Sequence, residues 1–239
     1  MNAVSDEMLD GLWSCLNEVE NSKSNIKCLV ITGEGRGFCA GANLSGGSDR
    51  SNTGRQDAGH RLETSYHPIL RRIKNLKIPM ITSVNGPAAG VGMSLALMGD
   101  IILAGKSAFF LQAFRRIGLV PDGGSTWLLP RLVGMARAKE LAILGERLSA
   151  EKAFEWGLIN RLFEDSELHN ESLKLAQELS HGPMSLGLIR KAFWESFDNS
   201  YEEQINLERE LQFAAGQSND FKEGVKAFLE KRDANFTGK

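Results

Sequence analysis

One aspartate and one glycine-containing junction carry most of the chemistry this sequence offers. Asp122 stands in Pro121-Asp122-Gly123-Gly124, with Gly118, Leu119 and Val120 before it and Trp127, Leu128 and Leu129 after it. A carboxylate walled by apolar residues is desolvated and more basic than a surface aspartate, which suits a proton shuttle. The same four residues are good turn chemistry, and aspartate is a favoured helix N-cap, so a structural reading stands beside the chemical one. The second feature is residues 83–100, SVNGPAAGVGMSLALMGD. Residues 79–84 read as a buried strand, Asn85-Gly86-Pro87 as a turn, and the small and apolar residues 88–98 as the run into a helix. Glycines at 90 and 92 let another backbone or a ligand come close. The N–H groups around Gly90, Val91 and Gly92 are then the open donors of a helix start, a place to stabilise an oxyanion.

Other elements must position these two. Residues 5–20 place Met8, Leu9, Leu12, Trp13, Leu16 and Val19 at helical spacing behind an N-cap at Ser5. Residues 27–32 are a strand, followed by a glycine-rich loop at 33–43 and a polar stretch at 46–57 that reads as mobile. Residues 60–76 read as a helix with Leu62, Tyr66, Ile69, Leu70 and Ile73 inward. Short strands are expected at 100–104, 108–111 and 160–163, with helices from Ser125, at 137–144 and at 149–155. From residue 166 the chain is helix after helix, one opened by the capping box Ser200-Tyr201-Glu202-Glu203. Strands alternating with helices, then a helical tail, define an α/β fold. The division is a core at 1–165 and a helical segment at 166–239.

Composition removes several classes. With 239 residues, 42% hydrophobic and 24% charged, the chain has the make-up of a globular protein with one large core. A formal net charge of −2 supplies no basic field for nucleic acid. No apolar run reaches the length of a membrane span, and the first residues lack signal-peptide architecture. Cys15, Cys28 and Cys39 are odd in number and in no metal spacing, so they read as packing residues of a protein in the reducing cytoplasm or an organelle matrix. The glycine loop after the first strand fails as a dinucleotide fingerprint, because Phe38 and Ala40 stand where the third glycine would fall. His60, His67, His169 and His181 are scattered, and His67 reads as an ordinary helix residue.

The loop Phe38-Cys39-Ala40-Gly41-Ala42-Asn43 resembles the F-C-A-G-A-D signature of the crotonase (enoyl-CoA hydratase/isomerase) superfamily. Asn85-Gly86-Pro87-Ala88-Ala89-Gly90-Val91-Gly92 is similar to its second signature, N-G-x-A-x-G-G-G, and residues 100–104 match the ending that follows it. Residues 118–126, 150–158 and 221–236 extend the resemblance along essentially the whole chain. It implies a spiral of ββα units, a helical C-terminal trimerisation segment, a homotrimer or dimer of trimers, and an acyl-CoA thioester substrate. No cofactor beyond the CoA of the substrate is implied, and no metal. In the family two backbone N–H groups hold the thioester oxygen, here those of Ala42 and Val91. Val91 departs from glycine, but a backbone donor survives any substitution except proline. Ala3 and Ala40 match positions that lie along the coenzyme, and Phe228 and Lys231 match positions that reach a neighbouring subunit's coenzyme phosphates. A solvated helix face is the alternative for Lys231. The family also has a strand or hairpin before the segment at Ala3; either the start is truncated or this member lacks that strand, which would leave a sheet edge exposed.

The resemblance also marks two departures. Hydratases of the family use two glutamates, and their positions fall at Ser94 and Phe114. Asp122 matches the single acid of 1,2-epoxyphenylacetyl-CoA isomerase-like members, which turns its reading toward catalysis. The expected activity is therefore an acyl-CoA isomerase that shifts a double bond through an enolate. Two other readings stay open: a hydratase, or other lyase or hydrolase, using Ser94 or Asp122 to place water, and a non-catalytic acyl-CoA binder.

Overall fold

The computed structural model describes residues 1–43 and 57–239. The polar stretch expected to be mobile lies, apart from Asp57, outside them. After the N-terminal segment, helix α1 (Asp6–Glu20) starts where Ser5 accepts a hydrogen bond from the Met8 N–H and buries Leu9 and Leu16. A cap of this kind contributes about 1 kcal/mol.

Two sheets organise the core. The larger is parallel, in the order β1 (Leu29–Thr32), β2 (Met80–Val84), β4 (Ile101–Gly105), β7 (Arg161–Phe163). The smaller has the order β3 (Ala88–Ala89), β5 (Phe109–Leu111), β6 (Arg147–Ser149). Two large-sheet strands, β2 and β4, are each followed by a short strand of the smaller sheet. Thus β2 leads to β3 and then to α3 (Val91–Ala96), while β4 leads to β5 and then to α4 (Ser125–Val133) and α5 (Met135–Leu144). The first turn repeats the plan: β1 is followed by Cys39, bridged in parallel to Ala88, and later by α2 (His67–Lys74). This is the expected spiral of ββα units. Every residue of β2 is buried, as a central parallel strand covered on both faces requires.

Three local features differ from expectation. The helix anticipated over 60–76 contains a π-helical turn at Leu62–Tyr66 before α2 begins. Ala88–Ala89 is a strand, so the helix starts only at Val91. The antiparallel strand β6, paired with β5, alternates exposed-buried-exposed over only three residues, too few to announce a strand. The remaining helices are α6 (Ala150–Glu155), α7 (Asp165–Ser180), α8 (Ser185–Glu195), α9 (Tyr201–Gly216) and α10 (Asn219–Glu230). Ser149 caps α6, and Ser200 with Glu203 completes the capping box of α9. Helix α7 covers the larger sheet, with Leu168 and Leu175 packed on Ile81 and Leu103.

A buried ion pair joins the C-terminal helices to this core. Arg190 on α8 is 5% exposed and donates to Asp100 through Nε at 2.8 Å, while its guanidinium also serves the carbonyls of Ile73, Lys74 and Leu76 at the end of α2. Asp100 in turn accepts from the Met80 N–H at 2.7 Å. Burial pushes the Asp100 carboxyl up, and Arg190 opposes that shift. Removing one partner of such a pair strands the other without compensation. Arg190→Met should therefore destabilise the fold by about 3–5 kcal/mol in urea unfolding, and a loss within experimental error would show that the pair contributes nothing.

Candidate active site

Hydrogen bonds between two loops build the centre of the site. Cys39 donates to the Pro87 carbonyl at 3.0 Å and accepts from the Ala89 N–H at 2.9 Å, so the first glycine loop runs parallel to the turn after β2. The bridge pairs Cys39 with Ala88. Carrying that register forward three residues sets Ala42 opposite Val91. Both intervening glycines need positive φ, 99° at Gly41 and 55° at Gly90, which L side chains adopt only with strain. A Cβ placed on Gly41 would lie 3.0 Å from the Ala89 carbonyl oxygen, so the two turns are in contact. Past these turns, neither the Ala42 nor the Val91 N–H donates to any group among the described residues. Gly92 has a different constraint, since a Cβ there would meet the Cys39 carbonyl oxygen at 2.3 Å.

Two asparagines hold this loop from either side. Asn85 donates to the carbonyls of Gly33 and Gly35 at 2.9 and 2.8 Å and accepts from the Gly33 N–H at 3.1 Å. Asn2 reaches the carbonyls of Glu34, Gly37 and Phe38. The segment around Asn2 lies along the loop, with Ala40 N–H bonded to the Met1 carbonyl and Val4 N–H to that of Gly41. Ala3 and Ala40 are thereby brought side by side, both exposed. The role of Asn2 was not anticipated, although an asparagine facing a glycine loop is a recognisable donor to open carbonyls.

Asp122 sits directly over α3. A Cβ on Gly123 would lie 2.7 Å from the Cβ of Ser94 and 3.4 Å from Val91 Cγ2, which fixes the Asp122-Gly123 turn against the hole. The Ser94 and Ser125 hydroxyls each donate to the Asp122 main-chain carbonyl at 2.9 Å. The carboxylate does not cap α4: Gly124 occupies that position and no side chain caps the helix. Instead Asp122 Oδ1 is buried with no hydrogen-bond partner among the described residues. Burial pushes the carboxyl up to about 6, and the charge of His67 acts in the opposite direction. The Tyr66 hydroxyl is pushed up by burial as well, and Asp122 adds to the rise against the opposing charge of Arg61. Phe114 is buried, its ring tip 3.8 Å from where a Gly90 Cβ would be. The two positions at which hydratases carry glutamates therefore flank the hole, one with a committed hydroxyl and one with a phenyl ring.

The Asp122 turn thus packs on Val91, and the loop that carries Ala40 and Ala42 runs beside both that segment and the one that carries Ala3. Phe228 and Lys231 lie exposed on and just after α10, which packs on α9, so no contact within one chain ties them to the other five. His67 is the residue that sequence reasoning passed over. It lines a cavity of about 350 Å³ together with Gly123, Gly124 and Trp127, immediately beyond Asp122. Among the described residues no cluster of His, Cys, Asp and Glu could hold a metal ion. Burial pushes the Cys28 thiol up to about 11 and that of Cys39 upward, which suits inert packing.

A pair of open backbone donors beside a half-buried carboxylate, on a ββα spiral, defines a crotonase-like protein. The whole chain, residues 1–239, matches the enoyl-CoA hydratase/isomerase family, and the protein belongs to it. It is 47% identical to the 1,2-epoxyphenylacetyl-CoA isomerase of Escherichia coli, over 100% of this chain and 91% of that one. It is 41% identical to a protein of Rhodobacter capsulatus named "Probable enoyl-CoA hydratase", over 100% and 91%. Among solved structures, an enoyl-CoA hydratase/isomerase from Cupriavidus metallidurans superposes with a TM-score of 0.90 at 33% identity, covering 99% of this chain and 88% of that one.

A buried, unpartnered carboxylate is costly when charged. In the unfolded chain Asp122 ionises near 3.8, in the folded protein near 6. Between these values the folded state binds the extra proton, so stability falls as pH rises through the window. Asp122→Asn removes that dependence. Its melting temperature should match the native protein's near pH 4 and exceed it above pH 6, by the equivalent of about 1–2 kcal/mol after allowance for solvent screening. Scanning calorimetry across this range that found no pH-dependent gap would contradict the burial of a charged Asp122.

Proposed function

We propose that this protein is an acyl-CoA isomerase that moves a double bond through an enolate, with Asp122 as the single proton carrier. The thioester oxygen sits between the Ala42 and Val91 N–H groups. Asp122 removes a proton from one carbon, the electron pair moves onto the thioester oxygen, and the two donors stabilise the negative charge. Asp122 then returns the proton to a different carbon as the oxygen gives the electrons back. Protons and electrons balance within the substrate, so nothing beyond the CoA ester is consumed. Each preorganised donor of such a hole typically supplies a factor of about 10² to 10³.

The observation that carries this reading is the unpartnered Oδ1 of Asp122 over α3, combined with the residues at 94 and 114. Water addition in the family resemblance needs two glutamates; Ser94 is committed to the Asp122 carbonyl and Phe114 cannot act. The 47% identity to an isomerase points the same way. That relative's substrate makes phenylacetate catabolism the pathway we favour. The 41% identity to a protein named for hydration keeps water addition as the second reading. Ala3 and Ala40 would run along the coenzyme. Phe228 and Lys231 would reach the coenzyme of a neighbouring copy in a homotrimer or dimer of trimers. Helix α9 has no buried residue, and Phe193, Tyr201, Phe213, Phe228 and Leu229 are exposed, which supports such an assembly. Three free cysteines support a reducing compartment, the cytoplasm.

Asp122→Asn should lower turnover of a 3-enoyl-CoA by about 10² to 10⁴ while leaving its dissociation constant nearly unchanged. In the native enzyme kcat/KM should fall on the acid side of pH 6, about tenfold per pH unit, because the base must be ionised. Unchanged turnover in the variant would overturn the assignment. Rapid loss of the conjugated absorbance of crotonyl-CoA would favour hydration instead.

A further inference from the structure

The cavity beyond Asp122 is asymmetric in its chemistry. Its lining comes from α2, with His67 and Leu70, from the start of α4, with Trp127 and Leu128, and from Met98. Trp127 is held rigidly. It stacks on Trp194 with centroids 5.8 Å apart, meets Phe197 edge-on at 5.2 Å, and carries the Arg131 guanidinium 4.0 Å from its ring centre. The charged residues that line it are already paired. Arg71 pairs with Glu63 at 3.3 Å and Lys74 with Asp198 at 3.5 Å.

His67 is different. Its Nδ1 is 2.9 Å from Glu63 Oε2, and the second oxygen of that carboxylate is held by Arg71. A carboxylate on Nδ1 fixes the proton there and sets the ring plane, which leaves Nε2 as the working atom. Among the described residues Nε2 has no partner. The other charged lining residues, Arg71, Lys74 and Asp198, are each engaged in an ion pair. Among the described residues Nε2 is thus a polar atom left to a ligand, and one such atom can choose between ligands of similar shape.

We propose that His67 is a specificity-determining residue whose Nε2 binds an oxygen on the acyl group, selecting oxygen-bearing acyl-CoA esters over plain hydrocarbon ones. This rests on the reading above in one respect, that the acyl group lies against Asp122. A hydroxyl satisfies Nε2 in either charge state, donating to the neutral ring and accepting from the protonated one. An ether, oxo or epoxide oxygen is bound by the protonated ring alone. Glu63 is a positioning residue that acts through His67.

Binding rather than turnover tests this. Cyclohexylacetyl-CoA and (2-hydroxycyclohexyl)acetyl-CoA are saturated, so neither can shift a double bond. By calorimetry the native protein should bind the hydroxylated ester about tenfold more tightly, the scale of one net hydrogen bond. His67→Phe should erase the difference. Equal affinity of the native protein for the two esters, or a preference that survives His67→Phe, overturns the proposal. Should that variant not fold, the ¹⁵N resonance of His67 Nε2 in the native protein decides: it should move with the hydroxylated ester and not with the plain one, and no selective shift overturns the proposal. Failure of both esters to bind overturns the thioester reading itself, and this proposal with it, an outcome distinct from binding without discrimination.

Discussion

A few backbone hydrogen bonds between residues far apart in sequence decide where chemistry can occur in this protein. The pairing of Cys39 with Ala88 brings the first glycine loop against the turn after β2, and the two strands leave that pairing in matched register. Because both chains then turn with positive φ at Gly41 and Gly90, the next N–H on each is released from the ladder. Two open donors a few residues beyond a shared hydrogen bond follow directly. Side-chain identity at those positions matters little, so alanine and valine serve where glycine might be expected. What the fold must protect is the register, and the asparagines at 2 and 85 clamp the glycine loop from opposite sides to do so.

Asp122 shows the complementary constraint. Its main chain is heavily satisfied, with two hydroxyls on one carbonyl, while its half-buried carboxylate has a buried Oδ1 with no partner among the described residues. A capping role would have used the carboxylate and lowered its proton affinity. The αL conformation of Gly124 instead ends the turn and opens α4 without it. Stability is given up at this one group, and a carboxyl poised near neutral pH results. Such a group can both take and return a proton, as a one-base isomerisation needs.

The large features were legible in the sequence for physical reasons. Buried parallel strands announce themselves as continuous apolar runs, as at residues 80–84, and capping residues such as Ser5, Ser149 and Ser200 mark helix starts. The glycine positions encode the hole because only glycine tolerates its backbone angles. Strands of two or three residues, β3 and β6, carry no readable period, and the π-helical turn before α2 has the same apolar spacing as an α-helix. His67 was unreadable for another reason. Its neighbours in sequence are ordinary helix residues, and its significance comes from Gly123 and Trp127, more than fifty residues away, across one cavity.

Ser94 connects these observations. In the family pattern its position belongs to an acid, and here a fully buried hydroxyl spans from α3 to the Asp122 carbonyl. A short side chain at 94 allows the Asp122-Gly123 turn to approach α3 closely, since Gly123 comes within contact of the Ser94 Cβ itself. A longer side chain at 94 would need that space. The loss of one acid and the placement of the other are therefore a single packing event. On the proposed function, the proton carrier lies on the turn over α3 and not on α3 itself. With the Phe114 ring against Gly90, the described residues at 94 and 114 supply no carboxylate beside that of Asp122. The proposed one-carboxylate reaction is consistent with that close packing of the Asp122-Gly123 turn on α3.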